Sequence, residues 1–417
     1  MDGRPGEVCE VRRYVRMLKD SPAPALPPPE HGLPVVPEVA AHLARAAGRA
    51  TAEPVGGGEE LRAAAAGYWA RRGLPTSPGH VLAAPGAQPL LLALLASAGG
   101  EVLLTRPCAP WYGSLARLAG RLAYHVAVPA ECGGVPDPFA LLETVTRIRA
   151  EGGRPRFLVL SVADETTGTV APPEILHEVL EAAAAEELTV VSDETWRDTL
   201  HHPLGTVFVG PAEMYPDRVI VLTDLAGALT PSAWPVAAAR FPEGGVGPAL
   251  RARSLTVLSA LRAELPPPVS AAARYALAEP EPVRARTAAA TRLYGTLAAA
   301  ARERLATAGV LCRPPQTGPH LYADLGELRT ALAARGITDS VELEAHLGKA
   351  LGHPAPGGHR FGDDPDALRV RLSIPPLLGT TDEQRQRALD APDPLHVPDV
   401  VAALSTFASA FSELAGA

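Results

Sequence analysis

The chain reads as an α/β protein: a mostly parallel sheet covered by helices on both faces, followed by a smaller α+β unit. Three observations predict this. Short apolar runs that suit buried strands alternate with helical patterns from about residue 80 to 241. A length of 417 residues exceeds what one hydrophobic core usually supports, so a large unit and a smaller one are expected. An apolar fraction of 47% and a charged fraction of 20% are those of a globular protein rather than a disordered one.

Taken in order, the elements follow from local pattern. Prolines recur from Ser21 to Pro37, too densely for a helix or a central strand, and predict an extended arm. Helices are expected at about 37–49 and 58–72, the second (GGEELRAAAAGYWARRG) punctuated by glycine at both ends. Then come strand HVLAA, a helix from about Ala87, strand EVLLT, a helix near 111–119 and strand LAYHVAV. The rhythm continues with a helix at 137–150, strand RFLVLSV, a helix at 173–187 and strands LTVVSD, RVIVL and PVAAARF. From about 246 to 308 the pattern is helical, broken at Pro266–Pro268 and at Pro280 and Pro282. The final third holds strand HLYADL, two short helices, strand LRVRLSI and a last helix from about Pro398. The Gly- and Pro-rich stretch 352–366 predicts a loop.

Composition also excludes functions. A formal net charge of −8 argues against binding to nucleic acid or to anionic membranes. Cys9, Cys108, Cys132 and Cys312 are widely spaced with no CxxC pair, so neither a disulfide framework nor a zinc site is suggested. A reducing cytoplasm fits. The start MDGRPGEVCEVRR lacks the apolar core of a signal peptide and no apolar run reaches membrane-span length, so a soluble cytoplasmic protein is expected. HExxH, DxDxDG and GxxxxGK[ST] do not occur, which leaves metal-hydrolase, calcium and nucleotide chemistry unsupported, and no metal is expected.

Several stretches carry a family resemblance. GGEELRAAAAGYWARRG, APGAQPLLLALLASAGGEVLLTRPCAPWY, SVADETTGTV, LTVVSDETWRD and PDRVIVLTDLAGALTPSAW are similar, in order and spacing, to motifs of fold-type I (class I/II) aminotransferases, which use pyridoxal phosphate (PLP). LRVRLSI resembles that family's C-terminal arginine strand, and the likeness runs from about residue 37 to 375. It implies a large domain with a seven-stranded sheet, a smaller domain built from both chain ends, and a homodimer. The domains expected are an N-terminal arm with part of the small domain (1–48), a large domain (49–278) and a small C-terminal domain (279–417).

Residue by residue, the resemblance implies a changed site. Asp193 matches the aspartate that pairs with the pyridine nitrogen, and Arg371 the arginine that holds the substrate carboxylate, a role suited to its planar fork. Gly227 stands where the Schiff-base lysine belongs, and the chain's two lysines, Lys19 and Lys349, lie in no comparable motif. Glu165 replaces the asparagine that bonds the ring's phenolic oxygen, and Ala109 the stacking aromatic. Asp224, Ala226 and Pro235 replace phosphate contacts, which leaves the turn Gly86, Ala87, Gln88 at a helix start. Trp111 and Tyr112 are candidates to take over aromatic contact with a ligand, against the commoner role of core aromatics. His359 and His353 lie in a loop resembling one that borders the substrate. His201, His202 and Cys108 are weaker candidates, loop histidines and buried cysteines usually having no chemical role.

These changes exchange positive for negative charge around the cofactor volume. The resulting expectation is an enzyme on an aminotransferase scaffold that uses neither PLP nor its amine form. It would bind a small molecule carrying an amine and a carboxylate, and act through Glu165, Asp193 and Asp224 as acids and bases. Cyclisation, dehydration, isomerisation or condensation in specialised biosynthesis would suit such a site. Two alternatives stay open: a noncatalytic partner of an active aminotransferase, and a protein that holds PLP or its amine form noncovalently.

Overall fold

The computed structural model describes residues 32–416, so Cys9, Lys19 and the arm up to residue 31 lie outside the described residues. Seven strands form one sheet: β1 Val81–Ala84, β2 Glu101–Arg106, β3 Ala123–Ala127, β4 Pro155–Ser161, β5 Thr189–Asp193, β6 Val219–Asp224 and β7 Ala237–Arg240. Their order is β1-β7-β6-β5-β4-β2-β3, with β7 antiparallel to both neighbours and the central strands parallel. Each coincides with an apolar run read in the sequence. The reason is burial on both faces: β4 and β6 are almost continuously buried, and only near-unbroken Val, Leu and Ile satisfy two covering layers. Alternation along a strand then divides the core in two. Val81 and Ala83 of β1 join one apolar cluster, Leu82 and Ala84 the other.

Proline marks many of the helix starts, at Pro110, Pro138, Pro173, Pro267 and Pro398, where its missing N–H costs nothing. The helical region after β7 is divided where its prolines fall, into helices Gly247–Ala260, Pro267–Leu277 and Glu281–Thr307. A second, antiparallel sheet of order β10-β9-β8 follows, made of β8 Leu311–Cys312, β9 His320–Asp324 and β10 Arg369–Ser373. Strand β8 escaped the sequence pattern because two residues carry no period. A third apolar cluster fills this part, between the small sheet and helices Ser340–Leu351 and Pro398–Ala415. The 352–366 stretch contains a 3-10 turn, Gly358–Phe361, rather than loop alone.

The two sheets are joined beside the carboxyl end of β4. The N–H groups of Gln316 and Thr317 donate to the Gly168 carbonyl at 2.7 and 3.1 Å, and Val170 N–H donates to Gln316 Oε1 at 2.9 Å. Gly168 makes this possible. Its φ is +69°, and a Cβ there would lie 2.4 Å from the His320 carbonyl oxygen. Gly168→Ala should therefore lose about 1–3 kcal/mol from backbone strain alone, with repulsion from His320 added. Urea unfolding checks this; an unchanged midpoint would show that the loop is not held by β9.

Candidate functional site

Parallel pairing brings three strand ends side by side. Ser161 of β4 is in register with Asp193 of β5, and Asp193 with Leu222, two residues before the end of β6 at Asp224. Ligands of open α/β sheets bind at this edge. Asp193 is 3% exposed. Tyr112 Oη donates to its Oδ2 at 2.7 Å, while Thr195 donates to Oδ1 from its hydroxyl at 2.6 Å and its N–H at 3.0 Å. Burial pushes this carboxyl up to about 6 even though the three donors pull it down.

Thr195 links Asp193 to Asp224, whose N–H donates to Thr195 Oγ1 at 3.1 Å. The Asp224 carboxylate accepts Ala87 N–H on Oδ2 at 2.9 Å and Ala226 N–H on Oδ1 at 3.0 Å. Ala87 opens helix Ala87–Ser97, so the carboxylate sits where unpaired N–H groups and the helix dipole favour an anion. Burial raises Asp224 as well, against these N–H donors.

Glu165, in the loop after β4, faces the small sheet. Its Oε1 accepts from Arg371 Nη1 at 3.2 Å, and its carbonyl is 3.0 Å from His320 Nδ1. Arg371 of β10 is 8% exposed, its guanidinium lies 4.8 Å from the centre of the Phe361 ring, and its Nε is buried without a partner. Negative charge at Glu165 contributes to raising Asp193 and Asp224, so the three carboxylates are electrostatically coupled.

The remaining candidates divide by what they touch. Tyr112, which as a buried aromatic would be a core residue, spends its hydroxyl on Asp193. Trp111 packs edge-on against it, ring centres 4.5 Å apart, at the border of an apolar cluster. Ala109 is buried and precedes helix Pro110–Leu118. Gln88 is exposed, and Pro235 packs beside Gly86. His359 turns its ring nitrogens to Ser340 Oγ at 3.0 Å and Glu344 at 3.7 Å, contacts within the small unit. His201 is buried with Nε2 2.8 Å from the Gly318 carbonyl, which makes it a brace for the segment before β9, while His202 is exposed. Cys108 is buried, its thiol pushed up by burial, and its N–H donates to the Phe361 carbonyl. Lys349 is exposed on helix Ser340–Leu351.

Sequence reasoning missed Asp164. It is buried, with Oδ2 accepting the Thr167 N–H at 2.8 Å and the Thr167 hydroxyl at 2.6 Å. An aspartate three residues before a threonine in a turn is the signal that reveals it. Burial pushes Asp164 up to about 6. The folded protein thus holds this proton more tightly than the unfolded chain, a contribution present below the unfolded pKa of about 4 and lost as pH rises through about 6. Asp164→Asn keeps an acceptor for Thr167 and does not titrate. Relative to wild type it should gain stability between about pH 4 and pH 7, by at most about 3 kcal/mol, as read from urea midpoints at each pH.

Gly227 ends the 3-10 turn Leu225–Gly227 directly after β6. A Cβ there would lie 2.3 Å from the Thr195 carbonyl oxygen and 2.8 Å from its Cγ2. The turn is therefore packed onto the residue that holds Asp193, and any side chain must push it away. Gly227→Ala should cost about 1–3 kcal/mol in urea unfolding; full tolerance would mean that the turn is free to shift.

Comparisons with known proteins agree with this architecture. A probable aspartate/prephenate aminotransferase of Thermus aquaticus is 28% identical over 219 residues, covering 52% of this chain and 55% of that protein. An aspartate aminotransferase of Pinus pinaster is 28% identical over 168 residues, 39% of this chain and 33% of that protein. The chain thus aligns with about half the length of the first of these curated relatives. In fold, a Thermus thermophilus aspartate aminotransferase double mutant matches with TM-score 0.74 at 22% identity, over 98% of this chain and 97% of that one. N-succinyldiaminopimelate aminotransferase from Mycobacterium tuberculosis gives 0.73 at 23%, over 93% and 92%.

These findings correct one expectation. Aspartate aminotransferases are PLP-dependent, so the expectation of a site without cofactor, one that takes neither PLP nor its amine form, is overturned: the family points to PLP. The family model for aminotransferase class I and II matches residues 27–352, most of the chain, and the protein belongs to that family.

Proposed function

We propose that this protein is an aminotransferase-type enzyme, divergent at the lysine position, that binds a small molecule bearing an amine and a carboxylate. The observation that carries this reading is Arg371, 8% exposed with its Nε unpartnered and one Nη on Glu165, a carboxylate whose charge in turn raises Asp193 and Asp224 at the strand ends. An arginine fork binds carboxylate, and coupled carboxylates favour a cationic amine.

The chain's residues fit PLP at one end only. Asp193, buried and held by three donors, suits a pyridinium nitrogen. At the start of helix Ala87–Ser97, however, the Ala87 N–H is taken by Asp224, and a phosphate ester there would face that carboxylate. Residue 227 offers no amine, and a side chain there would collide with Thr195. PLP supplies an electron sink when it is bound.

The chain's own residues supply binding and proton transfer. Arg371 orients the ligand carboxylate. Asp193, held at about 6, lies close enough to neutrality to exchange a proton, and Tyr112 Oη fixes which oxygen remains free of Thr195. Glu165 and Asp224 provide the negative field that favours the amine.

Calorimetric titration of the full chain with a panel of α-amino acids, with and without added PLP, tests this reading. Binding is expected for amino acids, and Arg371→Lys should weaken it roughly ten- to hundredfold, since one charge-assisted contact is worth about 1.5–3 kcal/mol. Near-ultraviolet absorbance of the same samples reports whether PLP is retained. No binding under either condition, or binding indifferent to Arg371, would overturn the proposal.

A further inference from the structure

The geometry points to Glu165 as a built-in occupant of the Arg371 clamp: an incoming carboxylate displaces it, and the displaced side chain becomes the seat for the same ligand's ammonium group. The inference rests on reading Arg371 as a ligand clamp and adds what selects the ligand, a zwitterion in preference to a simple carboxylate.

Three observations carry it. The pair is a single contact of 3.2 Å, longer than the 2.7–2.9 Å usual for charge-assisted N–H···O bonds, and does not use the guanidinium as a fork. Arg371 is 8% exposed and its buried Nε has no partner, so the clamp is only partly filled by Glu165. A guanidinium has five N–H donors, and a ligand carboxylate can take two at once.

Second, Glu165 is fixed by its backbone, while its side chain is held through the Arg371 contact. Its carbonyl lies 3.0 Å from His320 Nδ1, and its loop is sewn to the segment before β9 through Gly168. The side chain retains 25% exposure beside the cleft. In the proposed displacement the side chain changes rotamer about this fixed backbone.

Third, the charges select. A simple carboxylate that displaces Glu165 leaves that side chain unpaired, with its charge already acting against Asp193 and Asp224. A zwitterion restores the balance, because its ammonium group takes the place beside Glu165 that Arg371 gave up. Discrimination comes from a penalty on the wrong ligand as much as from contacts to the right one.

Matched ligand pairs test this: L-aspartate against succinate and L-phenylalanine against 3-phenylpropanoate, titrated calorimetrically into the wild-type chain and Glu165→Gln, with urea midpoints confirming that the variant folds. Wild type should prefer the amine-bearing member of a pair by about tenfold or more, and Glu165→Gln should erase that preference while binding the deaminated member about tenfold more tightly than wild type. If ligands bind but the ratio and both affinities are unchanged in Glu165→Gln, the gating role falls and the clamp stands. If no member of either pair binds either protein, Arg371 is not a ligand clamp and both readings fall.

Discussion

A carboxylate buried at the end of a central strand is the constraint around which this edge of the sheet is organised. Asp193 is 3% exposed, and such a group must find donors or keep its proton. Tyr112 approaches from helix Pro110–Leu118 and Thr195 from the turn after β5. Thr195 in turn accepts the Asp224 N–H and has Gly227 packed onto its carbonyl, so satisfying one carboxylate fixes the exits of both β5 and β6. Asp224 then caps the helix that follows β1. A chain of local hydrogen-bond requirements thus ties four separate segments to one edge of the sheet.

The same hydrogen bonds decide which groups at the strand ends are already satisfied. Asp193, at one end of that network, is held in place by neutral donors. At the other end, the helix start whose N–H groups attract anions is satisfied by Asp224, an anion that belongs to the protein. Gly227 belongs to this arrangement: its lack of a side chain lets the turn lie against Thr195, which a lysine in the same backbone could not do. In three dimensions the absence of a side chain at residue 227 is a packing requirement.

Much of the fold was legible. The seven strands of the large sheet are visible as apolar runs because burial on both faces permits little else, and the breaks in the helical region fall at prolines. The site was legible in its residue types and less so in its pairings. Nothing local says that Glu165 would reach Arg371, 206 positions away, or that the Tyr112 hydroxyl rather than its ring would matter. Asp164 shows its role only once the turn is folded, where Thr167 donates to it twice. The cofactor is a different case: single substitutions say less about it than the family to which most of the chain belongs.

From the sequence alone the strands of the large sheet, the breaks in the helical region and the charged residue types can be read, because period, proline and residue type act locally. Only the tertiary structure decided which charges meet. Glu165 and Arg371 pair because Gly168 lets the loop after β4 lie on the segment before β9, and β9 in turn aligns β10. Asp193 and Asp224 share Thr195 because parallel register sets their strand ends near one another. Ion pairs and hydrogen bonds depend on ångström distances between segments far apart in the chain, and folding alone fixes those distances.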